Sequence, residues 1–258
     1  MAIILGLVQG ATEFIPVSSS GHLIIARQIL GQNVAGGLAF DAVLQLATSF
    51  AVLVYFRKDV LNIIKNTFDI LLSNVVEQRE KTLIYGIILG TIPAVIFGLL
   101  LESKMDTVFR STHLVAVTLI LGSILFYFAQ KYAGQEELTV TKAVKIGFFQ
   151  CLALIPGVSR SGATISGGLF SGLTKESAVR FSFLLSLPIL FGTGFKKLFE
   201  VREMLGTEFG LSLLVGCIVA FITGLLAINF LIKYLKNNNL NLFIWYRIIL
   251  ALVILFFF

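Results

Sequence analysis

Gln9-Gly10-Ala11-Thr12-Glu13-Phe14-Ile15-Pro16-Val17-Ser18-Ser19-Ser20-Gly21-His22 decides how the rest of the chain reads, because it has a counterpart past the midpoint. That counterpart is Gln150-Cys151-Leu152-Ala153-Leu154-Ile155-Pro156-Gly157-Val158-Ser159-Arg160-Ser161-Gly162-Ala163-Thr164. Each is an apolar run that ends in Ile-Pro, passes through a Ser/Gly-rich turn and enters a second apolar run. The first copy carries a carboxylate and an imidazole, the second a guanidinium. Gln9 to Gln150 and Gly21 to Gly162 are both offset by 141 residues, and Pro16 to Pro156 by 140. The residue missing before the second proline is restored after it by Gly157.

Around these stretches the composition is that of a membrane protein. With 57% hydrophobic and 13% charged residues, the chain has too little charge to cover the surface of a soluble domain. Apolar runs long enough to cross about 30 Å of hydrocarbon occur at 38–56, 83–101, 112–130, 178–195, 210–232 and 242–258, which predicts six spanning helices. The alternating pattern of a β-barrel is absent from the sequence. Met1-Ala2-Ile3-Ile4 lacks a basic leader region, so no signal peptide is expected. Cys151 and Cys217 in apolar context suggest neither a disulfide framework nor a zinc site. The net charge of +6 is modest and sits at helix ends, which suits lipid headgroups rather than nucleic acid.

Segments 1–15 and 21–31, and likewise 143–155 and 163–173, are short apolar pieces joined by a proline-containing break. A break within hydrocarbon is tolerated where the freed backbone is buried in protein or lines a wet cavity. Both pairs are therefore expected to be re-entrant hairpins. Each is followed by three candidate spans, and an odd number of crossings turns the second half over relative to the first. The expected fold is an all-α integral membrane protein with six transmembrane helices and two re-entrant hairpins. It forms one membrane domain over 1–258, built from inverted-topology repeats at about 1–132 and 140–258. Placing the 57–82 connection on the cytoplasmic side puts twelve basic residues inside against six outside, the six including Lys104 and Arg110. Both termini and the opening of the first hairpin then face outward. Val60, Ile64, Phe68, Leu71 and Val75 recur at helical spacing beside Lys65 and Asp69, which predicts a helix lying on the inner surface.

Glu13, His22 and Arg160 lie in or beside apolar sequence, and a charge at mid-membrane costs at least about 2.5–3.5 kcal/mol, so each needs a partner or a cavity. A plain ion pair between the halves would not call for Ser18, Ser19, Ser20, Ser159, Ser161 and Thr164 as well. Both Ser/Gly turns open a helix, and a helix N-terminus favours an anion. Arg160 offers a fork that fits phosphate oxygens. Glu13 can hold a hard divalent cation through oxygen, with Gln9 one turn earlier as a second donor. The set converges on a diphosphate and its metal. His22, three and four residues after Ser19 and Ser18, is positioned to reach back and activate a hydroxyl. Asp41 is read as a helix-start aspartate with Gln45 one turn on, and His113, beside Ser111 and Thr112, as an interfacial residue. Trp245, Tyr246 and Arg247 are read as an interfacial anchor.

These motifs resemble those of the undecaprenyl-diphosphate phosphatases of the bacitracin-resistance type. The family's motif of glutamate or glutamine, three residues, then glutamate is similar to Gln9–Glu13. Its Pro-Val-Ser-Ser-x-Gly-His segment matches Pro16 to His22, and its Pro-Gly-x-Ser-Arg-Ser-x-x-Thr motif matches Pro156 to Thr164. The resemblance covers essentially the whole chain. It implies an inverted-repeat fold in the bacterial inner membrane, assistance from a divalent cation such as Mg²⁺ or Ca²⁺, and a site open to the outer face. It also implies hydrolysis of a C55 polyprenyl diphosphate to the monophosphate and inorganic phosphate, recycling the carrier lipid of wall synthesis and giving bacitracin resistance. In that reading Glu13, Ser19, His22 and Arg160 are catalytic, and Ser18, Gly157, Ser159, Ser161 and Thr164 bind the phosphates. Gln9 and Glu13 hold the metal, and a homodimer is compatible with the sequence. Glutamine at position 9 supplies one negative charge fewer than glutamate. Ser19, Ser18, His22 and a metal-activated water stand as alternative nucleophiles. A lipid transporter using the same cavity without chemistry is the competing function.

Overall fold

A computed structural model describes residues 1–31, 37–105 and 112–257. Arg110, Ser111 and Phe258 lie outside them. Every regular element among the described residues is helical. The first half contains α1 (Ala2–Glu13), α2 (Ser19–Ile29), α3 (Gly37–Tyr55), α4 (Arg57–Leu71), α5 (Gln78–Met105) and α6 (Thr112–Ala129). The second contains α7 (Val140–Cys151), α8 (Arg160–Phe170), α9 (Lys175–Glu200), α10 (Glu208–Asn237) and α11 (Asn241–Phe257). Thr139, Thr174 and Thr207 cap α7, α9 and α10 by accepting from the backbone N–H groups of Lys142, Ser177 and Phe209. Each supplies an oxygen to a donor that the first turn would otherwise leave unpaired.

Among the described residues, four stretches are long and apolar enough to cross a membrane: Gln78–Leu101, Thr112–Tyr132, Lys175–Glu200 and Glu208–Asn237. The bent pair α3 and α4 raises this to five if counted as one span, and α11 is apolar but shorter. The outer faces of these helices are greasy. Along α10, Leu211, Leu214, Ile218, Ile222 and Leu226 form a stripe with each residue more than half exposed, which in water would be an aggregation surface and in lipid is a solvated one. The protein is a multi-pass membrane protein. At Phe56 the chain turns by 85° into α4, a helix with no buried residue that carries Arg57, Lys58 and Lys65 beside exposed Leu61, Ile64 and Phe68. The expected surface helix is present but shorter than its apolar spacing suggested. It ends at Leu71, Ser73 adopts a left-handed φ of 59°, and Val75 lies beyond the turn.

α3 packs on α9 and α10, and α6 on α11, while the short helices are held against long ones, α1 on α10 and α7 on α5. Glycine makes both of the latter contacts close. A Cβ on Gly6 would stand 2.5 Å from the Gly216 carbonyl oxygen, and one on Gly147 would overlap the backbone of Gly90. Neither backbone can yield like a flexible side chain. Gly147→Ala is therefore expected to destabilise the protein by about 1–3 kcal/mol, read as a lower thermal midpoint in detergent. An unchanged midpoint would contradict the close seating of α7 on α5.

Candidate active site

Both short-helix pairs are broken in the same way. Ser18 adopts φ 75° and caps α2, its hydroxyl accepting from Gly21 N–H at 3.3 Å, and Ser159 adopts φ 74° and caps α8, accepting from Gly162 N–H at 3.2 Å. A left-handed φ is unusual for serine, and the capping bond helps hold it. The hydroxyls of Ser18 and Ser20 lie 3.3 Å apart and those of Ser159 and Ser161 3.2 Å apart. The residue after each cap opens its helix: Ser19 in α2 and Arg160 in α8. Phe14, between α1 and the first cap, is fully buried and packs edge-to-face on Phe183 of α9 at 5.2 Å, which fixes how α1 ends.

The two breaks meet at Glu13. Its carboxylate is buried and accepts from Gln9 Nε2 at 2.8 Å and from Ser19 Oγ at 2.7 Å on Oε2, and from Arg160 Nη2 at 3.0 Å on Oε1. Arg160 is 147 residues away in the chain, so this pair joins the halves. Burial strengthens the attraction between the two charges at the cost of their hydration, and makes removing either partner costly because it leaves a buried charge unpaired. Arg160 spends one nitrogen there. Its Nε and Nη1 are buried without a protein partner, as are Gln9 Oε1 and both ends of the Gln150 amide. A buried donor normally finds an acceptor. An anion seated against Arg160 would supply one.

The remaining expected residues are placed less directly. Thr164 Oγ1 lies 2.5 Å from Ser182 Oγ and within bonding distance of the Arg160 and Ser161 carbonyls, so it braces α8 against α9. Gly157 has φ 93°, and a Cβ there would collide with Thr118. It supplies backbone to the second break. His22 departs from expectation. Its Nδ1 bonds the Ser18 carbonyl oxygen at 2.7 Å and its Nε2 the Tyr246 hydroxyl at 2.7 Å, with the rings stacked at 5.6 Å. Because a carbonyl can only accept, Nδ1 carries the proton, and in the neutral imidazole Nε2 accepts from Tyr246. The imidazole thus touches no serine hydroxyl. Side chains on a helix lean toward its N-terminus, which brings His22 over the capping residue's backbone rather than beside Ser19. The proton of Ser19 points to Glu13.

Three residues were not singled out by pattern. Gln150 marks the register of the two copies, but its burial with an unbonded amide adds a polar group at the end of α7. Tyr246, itself exposed, holds His22, whereas Arg247 is no interfacial residue because it is fully buried. A lone arginine inside the apolar run 242–258 was the available signal, since an intramembrane charge asks for buried partners. Asp41 pairs with Arg27, two bonds tying α3 to α2, and His113 is exposed. A cavity of about 270 Å³ lined by Tyr55, Asp59, Arg180 and Lys236 contains none of the site residues.

A model of the family described as bacitracin resistance protein BacA matches residues 2–253. An undecaprenyl-diphosphatase of Mycolicibacterium smegmatis is 44% identical, the match covering 98% of this chain and 94% of the relative. Proteins of the same name from Chlorobaculum tepidum and Elusimicrobium minutum are each 42% identical, over 97% and 98% of this chain and 94% and 96% of theirs.

Proposed function

The chain belongs to the bacitracin resistance protein BacA family, and from that premise we infer that it hydrolyses undecaprenyl diphosphate, with Glu13, Ser19 and Arg160 as the reacting set. The observation that carries the assignment of residues is the meeting of a carboxylate, a hydroxyl and a half-used guanidinium, drawn from two breaks in the chain. The enzyme returns the carrier lipid to the monophosphate form and releases inorganic phosphate. Ser19 Oγ attacks the terminal phosphorus while its proton passes to Glu13 Oε2, and the bridging P–O bond breaks with the lipid monophosphate as leaving group. Arg160 meets the equatorial oxygens through the nitrogens that Glu13 does not use. Glu13 hands the Ser19 proton to the departing lipid monophosphate, and as a carboxylate again it takes one from the water that attacks the phosphoserine, returning it to Ser19 Oγ as inorganic phosphate leaves. Ser18 is less suited to attack because its hydroxyl is taken up by capping. His22 steadies the Ser18 carbonyl, and so the turn that presents Ser19.

The oxygen donors Glu13 and Gln9, with Gln9 Oε1 buried and unbonded, would hold a hard cation such as Mg²⁺ or Ca²⁺. Such a cation, when bound, neutralises charge developing on the diphosphate. The likeness of the breaks, the left-handed glycines Gly31 and Gly172 that follow α2 and α8, and the matched seating of α1 and α7 support inverted repeats over 1–132 and 140–258. Within this reading the two breaks are re-entrant, α3 and α11 complete six spans with α4 lying on the surface, and the protein sits in the bacterial inner membrane with its site facing outward. The assembly is a monomer or a homodimer, and the prenyl tail leaves the site between helices.

The test is release of inorganic phosphate from C55 polyprenyl diphosphate by detergent-purified protein, with and without EDTA, for wild type, Ser19→Ala and His22→Ala. Ser19→Ala is expected to abolish turnover, and His22→Ala, which loosens the turn, to lower it by about 10²-fold. EDTA should suppress the wild-type rate. Full release by Ser19→Ala would exclude Ser19 as nucleophile, and no release by folded wild-type protein would put a lipid transporter in its place.

A further inference from the structure

Arg247 heads the fully buried side chains by size, at 0% exposure in the middle of α11. Its polar contacts are to backbone carbonyls. Nε donates to Leu119 and Nη2 to Thr118 in α6, at 3.2 and 3.3 Å. Nη2 also donates to Gly157, and Nη1 to Val158, each at 3.1 Å in the second break, while Nη1 reaches Pro16 in the first at 3.3 Å. Its flat face lies 4.8 Å from the ring of Phe126, the residue that closes against Gly162. Thr118 adds a bond from Oγ1 to the Pro156 carbonyl at 2.6 Å. Where a helix is interrupted inside a membrane, freed carbonyls need donors. One guanidinium meets that need in both breaks.

The contacts sit close to the reacting groups along the chain. Pro16 lies three residues from both Glu13 and Ser19, and Gly157 and Val158 lie three and two residues before Arg160. The ion pair Glu13–Arg160 also joins the breaks, but it loses its charge attraction each time Glu13 takes a proton in the reaction. A tie remote from the phosphate is therefore needed to keep the breaks in register during the reaction.

We propose that Arg247 is a positioning residue of the phosphatase reaction, coupling the first break to the second so that Glu13 and Ser19 face Arg160 across one phosphate. The proposal rests on those three residues being the reacting set. Its partners are backbone atoms, so the substrate does not select it. Arg247 acts by geometry, and small misplacement of reacting groups is costly in rate.

The experiment measures kcat and KM for phosphate release from C55 polyprenyl diphosphate by monodisperse wild type, Arg247→Met, Arg247→Lys, Thr118→Val and Arg160→Ala, with thermal midpoints alongside. Arg247→Met is expected to lower kcat per folded molecule by about 10²-fold while KM stays within about threefold. Arg247→Lys, which keeps the charge but not the planar fork, recovers part of kcat. Thr118→Val lowers kcat by less than about tenfold, because one bond of the same set is lost. Wild-type kcat in folded Arg247→Met, with only yield or midpoint reduced, overturns the proposal. If Arg247→Met does not fold, wild-type kcat in both Arg247→Lys and Thr118→Val overturns it equally. An inactive Arg160→Ala beside fully active Arg247 variants sinks the coupling alone, whereas an active Arg160→Ala sinks the reacting set and the proposal with it.

Discussion

Glu13→Gln is expected to lower phosphate release by on the order of 10³-fold while leaving the substitution nearly isosteric. The glutamine can still accept a hydrogen bond from Ser19, but it cannot take the proton, so the hydroxyl stays a poor nucleophile. The same change leaves Arg160 facing a neutral group in a buried setting, its side chain only 12% exposed. An uncompensated buried charge costs about 3–5 kcal/mol, softened here by the amide oxygen, so the thermal midpoint should fall as well. Activity and stability separate on adding inorganic phosphate. The anion restores a charge partner to Arg160 and should raise the midpoint of Glu13→Gln without restoring turnover. A variant that keeps more than about a tenth of the wild-type rate would remove Glu13 as proton acceptor, because that loss is smaller than a general base supplies.

Arg160→Lys is expected to cost about 10²–10³-fold in kcat, the loss seen when a donor aimed at developing transition-state charge is removed. Lysine retains a cation that can pair with Glu13, so the variant should fold. It lacks a second nitrogen at fixed angle, so an ammonium held by the carboxylate has less to offer the phosphate oxygens. KM should rise together with the fall in kcat, since ground-state phosphates are also held by the fork. An unchanged rate would mean that charge suffices and that the buried Nε and Nη1 of Arg160 have no role in the reaction.

Much of the site was legible because membrane sequences expose chemistry by contrast. Glu13 and Arg160 stand out against apolar neighbours, and the Ser/Gly turns declare interruptions that hydrocarbon would not otherwise tolerate. Spacing along one helix also carried through: Gln9 and Glu13, four residues apart, do bond each other. At His22 spacing alone does not decide the partner. Spacing gives residues within reach, but at one helical turn the backbone carbonyl of the cap lies nearer than the hydroxyl beside it.

The role of Arg247 is hidden in the sequence for another reason. A sequence next to Trp245 and Tyr246 looks interfacial, and the local pattern gives no sign that loop carbonyls from positions 16, 157 and 158 gather around position 247. Likewise, α4 could be foreseen as amphipathic, but its end came from a left-handed turn at Ser73 that periodicity does not encode.

By itself the sequence determined the membrane environment, the helical class, the two interruptions and the residue types from which a phosphate site could be made, since hydrophobic length, period and isolated charge are local properties. The tertiary structure alone decided that the Ser19 hydroxyl donates a hydrogen bond to Glu13, that His22 faces Tyr246, and that a buried arginine from the last helix bonds carbonyls of both breaks. Those partners lie far apart in the chain, except for Ser19 and Glu13, whose pairing depends on how the break folds; which of several nearby donors and acceptors meet is set by packing, and packing is not local.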